Sequence, residues 1–119
     1  MLSLKKDERL KGHKDIDRLL SAGKRGKIGH LRYCWIEALS GGGKNRIIAC
    51  VPKRLFKRAV KRNLLKRRIR ESYRLSKEAL PEAGIDIMFL YSKGQIADFQ
   101  EIKSDVQRIL ESIEYERQL

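Results

Sequence analysis

The spacing of apolar residues predicts a helix near each end of the chain. Residues 13–22 place three apolar side chains on one helical face before Gly23 ends the pattern. Residues 98–116 carry a longer apolar stripe with acidic residues outside it, and Asp98 is positioned to cap its first turn. The first stripe is Ile16, Leu19 and Leu20; the second is Phe99, Ile102, Val106, Ile109, Leu110 and Ile113.

Three apolar runs between these helices predict strands. Residues 31–39 alternate, residues 46–51 are almost continuously apolar, as in a strand buried on both faces, and residues 85–91 form the last run. The glycine-rich stretch 40–45 predicts a hairpin between the first two strands, and a further short strand is expected near Ile28. The alternation gives one face with Leu31, Tyr33, Trp35 and Glu37, and another with Cys34, Ile36 and Ala38.

A third helix is predicted over residues 55–75, with Leu65 and Ile69 on its core side and Leu64 and Leu75 at the flanks. The element order is then α-β-β-β-α-β-α, which indicates an α+β fold with helices packed on a mixed four-stranded sheet. The 119 residues contain no evident linker. We therefore expect a single domain over residues 1–119, beginning with a basic N-terminal arm at 1–12.

The basic side chains are concentrated in the third helix and the segment that leads into it. Residues 53–74 hold 11 of the 28 Lys and Arg residues against one acid, Glu71, so the net charge of +13 is largely local. Like charges one helical turn apart repel by about a few tenths of a kcal/mol per pair, and a phosphate backbone would relieve that repulsion. The pattern predicts polyanion binding, because a solvated face would normally interleave acids. Helical spacing puts Arg62, Lys66, Arg70 and Arg74 in one row, and Asn63 and Arg67 in the next.

The sequence offers little support for protein-based catalysis. Cys34 and Cys50 lie far apart in apolar runs and are expected to be buried, reduced thiols. His13 and His30 lack the spacing of a catalytic or metal-binding motif and are expected on the surface or in a turn. No apolar run approaches the roughly 20 residues of a membrane span. We therefore expect a cytoplasmic protein with no catalytic residue and no metal ligand.

The order of residues in the basic segment closely resembles the basic-helix motif of the bacterial ribonuclease P protein family. The motif reads Val51-Pro52-Lys53-Arg54, then Arg62-Asn63, then Lys66-Arg67, then Arg70-Glu71. Residues 8–10 and strand 46–51 resemble the family's N-terminal entry and central strand. Two positions depart from the family pattern. Leu64 stands where arginine is common, with Lys61 or Arg68 nearby to compensate, and Ile16 stands where an aromatic residue is common.

This resemblance implies a subunit of ribonuclease P, the endoribonuclease that removes the 5′ leader of precursor tRNA. It implies that the active site and its Mg²⁺ belong to a catalytic RNA, with no protein-bound cofactor, and that one protein monomer serves each holoenzyme. It also implies a left-handed crossover through the basic helix, an exception to the usual right-handed rule. The residues expected to bind the catalytic RNA are Lys53, Arg54, Arg58, Lys61, Arg62, Asn63, Lys66, Arg67, Arg70 and Arg74.

A second surface is implied for the 5′ leader, which is single-stranded and suited to stacking on aromatic side chains. We place Tyr33 and Trp35 toward this cleft because the Cys34 face of strand 31–39 is the more core-like one. The alternative, that both are simply core aromatics, stays equally open from sequence. The expected cleft residues are Ile16, Leu20, Tyr33, Trp35, Ile48 and Cys50.

Other functions would use the same cationic helix. A ribosomal or other structural RNA-binding protein needs it without a leader cleft. A helix-turn-helix DNA-binding protein fits less well, because a strand precedes the basic helix where a partner helix is usual. An enzyme acting on a nucleotide lacks residues for the chemistry.

Overall fold

The computed structural model describes residues 4–37 and 43–119. The observed order confirms the predicted α-β-β-β-α-β-α arrangement, with two short 3-10 turns at Lys6–Glu8 and Lys77–Ala79. The elements are α1 (His13–Ala22), β1 (Lys24–Ile28), β2 (Leu31–Glu37), β3 (Arg46–Cys50), α2 (Ala59–Leu75), β4 (Ile85–Tyr91) and α3 (Phe99–Gln118).

The four strands form one mixed sheet in the order β1-β2-β4-β3. β2 pairs antiparallel with both β1 and β4, whereas β3 pairs parallel with β4. The predicted hairpin between β2 and β3 is therefore wrong, because β4 lies between them. The chain passes from β3 to β4 through α2, and the left hand of this crossover stays a prediction. Ala38 and residues 39–42 of the expected strand and hairpin lie outside the described residues.

The two faces of the sheet are covered unequally. α2 and α3 lie over one face and enclose the main core, which includes Leu65, Ile69 and Ile109. α1 covers the other face with a much smaller cluster built around Leu19 and Cys34. β3 was expected to be buried on both faces, but only its main-core side is, because Ile48 and Cys50 on the α1 side stay half-buried at the edge of the sheet.

The basic helix begins later than its sequence predicts, at Ala59 and not near Leu55. The preceding residues form a turn in which the Leu55 and Phe56 backbone N–H groups donate to the Pro52 carbonyl, at 3.2 and 3.4 Å. The Phe56 side chain then enters the core and meets the Tyr91 ring edge-on, with 5.8 Å between ring centroids. This turn separates Lys53, Arg54, Lys57 and Arg58 from the helix proper.

Asn45 joins the start of β3 to the turn that precedes β4. Its fully buried amide Nδ2 donates to the carbonyls of Leu80 and Pro81, both at 3.2 Å. Its Oδ1 accepts from the backbone N–H groups of Ala83 and Ile85, both at 3.0 Å. One side chain thus satisfies four backbone groups and holds together the two ends of the β3–α2–β4 unit.

Arg46 is the main polar link between α1 and the sheet. Its guanidinium pairs with both carboxylate oxygens of Asp86 on β4 at 2.8 Å, and with Asp15 of α1 at 3.3 Å. The hydrogen bond to Asp86 raises the pKa of Arg46 further, and burial only partly opposes this. Arg18 of α1 adds a bond to the Glu37 carbonyl, at 2.8 Å.

Replacing Asn45 should test this link. We expect Asn45→Ala to lower the free energy of unfolding by about 2–3 kcal/mol, because it leaves buried backbone groups without partners. Lys44→Ala is the matched control, because Lys44 is the neighbouring residue and its exposed side chain makes only a 3.8 Å ion pair with Asp7. This control should change the free energy of unfolding by less than about 0.5 kcal/mol. Urea unfolding followed by circular dichroism measures both. Equal small losses would show that Asn45 does not fix this junction.

Candidate nucleic-acid interface

One side of α2 packs into the core while the other presents cations. Leu65 and Ile69 are fully buried, and Tyr73 is almost so, against α3 and the sheet. The opposite side, here called the cation face, carries no acid in the first turn of the helix. Since α2 also points the positive end of its dipole toward Arg58, the helix start and the cation face reinforce the same positive potential. The cation face consists of Arg62, Asn63, Lys66, Arg67, Arg70 and Arg74.

Three of the arginines on α2 hold the protein together as well as carrying charge. Arg62 donates from Nη1 to the carbonyls of Phe56 and Lys57, both at 2.8 Å, and so fixes the turn before the helix. Arg68 donates to the Ala97 carbonyl at 2.6 Å, which leaves it poorly placed to compensate for the missing cation at position 64. Arg74 pairs with Glu71.

The remaining predicted contacts make no side-chain hydrogen bond or ion pair in the part of the chain that the structure describes, and all but Lys66 are exposed. Arg67 and Arg70 project from the cation face, with Asn63 between them and Lys66 half-buried at its edge. Lys66 lies close enough to Cys50 to oppose the burial that raises the pKa of that thiol. The cation face therefore borders the sheet edge at β3. Lys53, Arg54 and Arg58 are exposed on the turn before α2.

Lys61 lies apart from the cation face. It borders an open groove between the turn before α2 and residues 94–96, together with Leu55, Lys57 and Arg58. The predicted RNA-binding residues thus occupy two adjoining surfaces, the cation face and the start of the helix.

A cleft lies on the α1 side of the sheet, and four of the six predicted cleft residues belong to this side. Ile16 and Ile48 pack at its small cluster, Leu20 is 40% exposed, and Cys50 shares the Ile48 face of β3. Beside Leu20 is a hollow of about 310 Å³. The other side chains that line it include Arg25, Lys27, Arg32, Cys34, Met88 and Leu90.

The side chains of Tyr33 and Trp35 do not point into this cleft, so their predicted placement is wrong, although Tyr33 also contributes to the lining of the hollow beside Leu20. Both are buried in the main core on the opposite face, where the Tyr33 hydroxyl lies 3.4 Å from Ser112 Oγ of α3. Lys24 lies over the Trp35 ring, 5.1 Å from its centroid. Alternation along β2 separates the two faces but does not tell which helix covers each, and α1 covers the less enclosed Cys34 face.

Cationic residues of β1 and β2 form a part of the cleft that sequence reasoning missed. Arg25 pairs with Cys34 and Lys27 with Arg32 across the strands, so all four share the α1 face. The available signal was the alternation of Arg25 and Lys27 around Gly26, which places both cations on one side of a strand.

His30 has a structural role in the tight turn between β1 and β2. Its ring Nδ1 and its backbone N–H both contact Asp105 Oδ2, at 2.7 and 3.0 Å, and its carbonyl accepts from Ser92. This confirms the expected turn position. Across residues 4–37 and 43–119, no group of three or more His, Cys, Asp or Glu side chains is arranged to hold a metal ion. In the same residues, no helix has the length and apolar character required to cross a bilayer.

Comparison with known proteins agrees with this architecture. The family described as Ribonuclease P matches residues 4–114. A ribonuclease P protein component of Porphyromonas gingivalis is 32% identical over 114 residues, which cover 90% of this chain and 83% of that protein.

Solved structures of the same kind share the fold. The RNase P protein of Staphylococcus aureus superposes with a TM-score of 0.76 at 21% identity, over 89% of this chain and 94% of that one. The RNase P protein of Thermotoga maritima superposes with a TM-score of 0.75 at 24% identity, over 88% of this chain and 96% of that one. Because the family match spans nearly the whole chain and the P. gingivalis relative is similar along most of its length, this chain belongs to the ribonuclease P protein family.

Proposed function

We propose that this protein binds the catalytic RNA of ribonuclease P through α2 and the 5′ leader of precursor tRNA through the cleft beside α1. Membership of the family gives the chain a role in ribonuclease P. The observation that carries the finer proposal is the cation face, where exposed Arg67 and Arg70 have no acidic partner among the described residues.

The cation face suits an RNA backbone because its charges are already in place. Leu65 and Ile69 are buried beneath the cation face, so little backbone order has to be gained when phosphates approach Lys66, Arg67 and Arg70. Each phosphate neutralised releases condensed counterions and removes repulsion between neighbouring cations. Asn63 lies among these cations, and its amide can donate to and accept from a sugar or a base edge.

The cleft suits a single strand for a different reason. Leu20, Met88 and Leu90 offer an apolar surface to the faces of unpaired bases. Arg25 and Arg32 on β1 and β2 offer positive charge to the phosphates that link those bases. Bases that pack on aliphatic side chains gain less than bases that stack on aromatic ones, so we propose weak, sequence-tolerant contact with the leader.

In this proposal the RNA supplies the hydrolytic centre and the Mg²⁺ that it requires. The protein would bind two RNA segments on adjoining surfaces, because α2 packs against β3 and the charge of Lys66 acts on the Cys50 thiol of that strand. Its charge lowers the repulsion between the catalytic RNA and its substrate, which is largest when Mg²⁺ is scarce. We infer one protein monomer per holoenzyme, acting in the cytoplasm.

Reconstitution with a bacterial ribonuclease P RNA tests this function directly. We expect the protein to accelerate removal of the leader from precursor tRNA most strongly at limiting Mg²⁺, where RNA alone is slow. Gel analysis of cleaved substrate under single-turnover conditions measures the effect. Tight RNA binding without any stimulation would favour a structural RNA-binding protein instead.

The cation face makes a separate prediction about salt. Arg70→Ala should weaken binding to this RNA roughly tenfold and reduce the slope of log affinity against log salt by about one unit, as expected for one lost phosphate contact. Arg108→Ala is the matched control, since it removes an exposed arginine from the outer face of α3. Filter binding over a range of potassium concentrations distinguishes them. Identical slopes for both variants would contradict a phosphate contact at Arg70.

The cleft predicts a difference between substrates with and without a leader. Leu20→Glu should reduce holoenzyme affinity for precursor tRNA roughly tenfold, since it replaces part of the apolar surface for the leader bases with a negative charge that repels the phosphates linking them. Affinity for mature tRNA, which has no leader, should not change. Tyr115→Glu, at an exposed position on α3, is the control. Equal losses for both tRNAs would show that the cleft does not hold the leader.

A further inference from the structure

The flank of α2 next to α3 carries three apolar side chains among charged ones. At 100° per residue, Val60, Leu64 and Leu75 lie on this flank between the cation face and α3, with Arg68 and Glu71 between the two leucines. Val60 is 69% exposed and Leu75 is 49% exposed. Phe99, the first residue of α3, lies half-buried beside them. Such a stripe next to a strongly cationic surface requires an explanation, because large exposed apolar side chains usually mark a contact surface when they cluster.

The stripe contains a defined hollow of about 380 Å³. Leu64, Leu75 and Phe99 supply its apolar surface, while Arg67 borders it from the cation face. The remaining lining residues are Arg68 and Glu71.

Two of the residues that line this hollow, Arg68 and Glu71, are held by hydrogen bonds. Arg68 donates to the Ala97 carbonyl at 2.6 Å, which ties α2 to the residues that lead into α3. The Ala97 backbone N–H in turn donates to the Tyr91 hydroxyl at 2.9 Å. Glu71 is held by Arg74. A ligand would therefore enter a preformed space and would not have to order its surroundings.

We propose that this hollow binds one unpaired nucleobase of the RNA that lies along the cation face. The inference rests on the proposed function and adds to it a contact that depends on a base. A strand that meets Arg70 and Arg67 with its phosphates passes the rim of the hollow. Leu64 and Leu75 are about 16 Å apart along the helix, at 1.5 Å per residue, so a base turned out of that strand can pack against Phe99 and one of the two leucines. Recognition of RNA by proteins often uses unpaired bases of this kind.

Charge favours RNA over a protein as the occupant. The chain carries a net charge of +13, and Arg67 stands at the rim of the hollow, so a second copy of the chain would meet strong repulsion there.

The test compares two RNAs. Leu64→Ala and Leu75→Ala are combined in one variant, and binding is measured to a bacterial ribonuclease P RNA and to an uninterrupted RNA duplex of 20 base pairs. We expect roughly tenfold weaker binding to the ribonuclease P RNA with an unchanged salt slope, and no change for the duplex, whose bases are all stacked. Tyr115→Ala, which removes another exposed apolar side chain, should bind both RNAs like the unchanged protein.

A crosslinking measurement keeps the inference testable if the double variant is poorly folded. Leu75 is half-exposed, so p-benzoylphenylalanine can replace it, and ultraviolet light should then join it to one or a few adjacent unpaired nucleotides of the ribonuclease P RNA. Equal losses on both RNAs, a lower salt slope, or altered self-association in sedimentation with RNA affinity intact would overturn the inference. Failure of the unchanged protein to stimulate leader removal by a bacterial ribonuclease P RNA would overturn the proposed function instead, so the two failures are distinguishable.

Discussion

The repulsion among cations on α2 is the constraint on which the rest of this structure depends. A helix with this charge pattern would be disfavoured on its own, because several neighbouring pairs at i, i+4 carry the same sign. It is stable here because Leu65, Ile69 and Tyr73 are buried between α3 and the sheet. Arg62 and Arg68 also stabilise the fold, because each donates a hydrogen bond to a backbone carbonyl of an adjoining segment. Burial of the apolar side of α2 in the core therefore allows its exposed cations to remain without acidic partners.

The unequal covering of the sheet follows from the same arrangement. The large core lies on the face of the sheet that α2 and α3 cover, and only a small apolar cluster lies beneath α1 on the other face. That cluster is supplemented by the ion pairs of Arg46 with Asp86 and Asp15, which fix α1 without filling the space beside it. The open cleft therefore lies on the side of the sheet that has fewer buried apolar contacts.

Sequence periodicity predicted the parts of this structure that depend on a single element. The core and cation sides of α2 follow from residue spacing alone, as does the stripe of α3, so both were predicted correctly. The pairing of the strands could not be predicted from residue spacing. The loop at residues 40–45 has the composition of a hairpin, yet β4 lies between β2 and β3, and nothing local encodes a partner that is 40 residues away. The faces of β2 were separated correctly, but Tyr33 and Trp35 were assigned to the wrong one, because the helix that covers each face is chosen by the whole fold. The hollow at Leu64 and Phe99 likewise required two helices to be placed together.

The amide of Asn45 has a consequence for how the molecule opens. By joining residue 45 to residues 80–85, it closes a loop that contains all of α2, and that helix buries its apolar side chains in the same core as β3 and β4. These elements should exchange their amide hydrogens as one cooperative unit, with protection close to that of global unfolding. α1 stands outside this closed loop and can open by a local fluctuation of lower free energy. The cation face is thereby held in place independently of local opening beside the cleft.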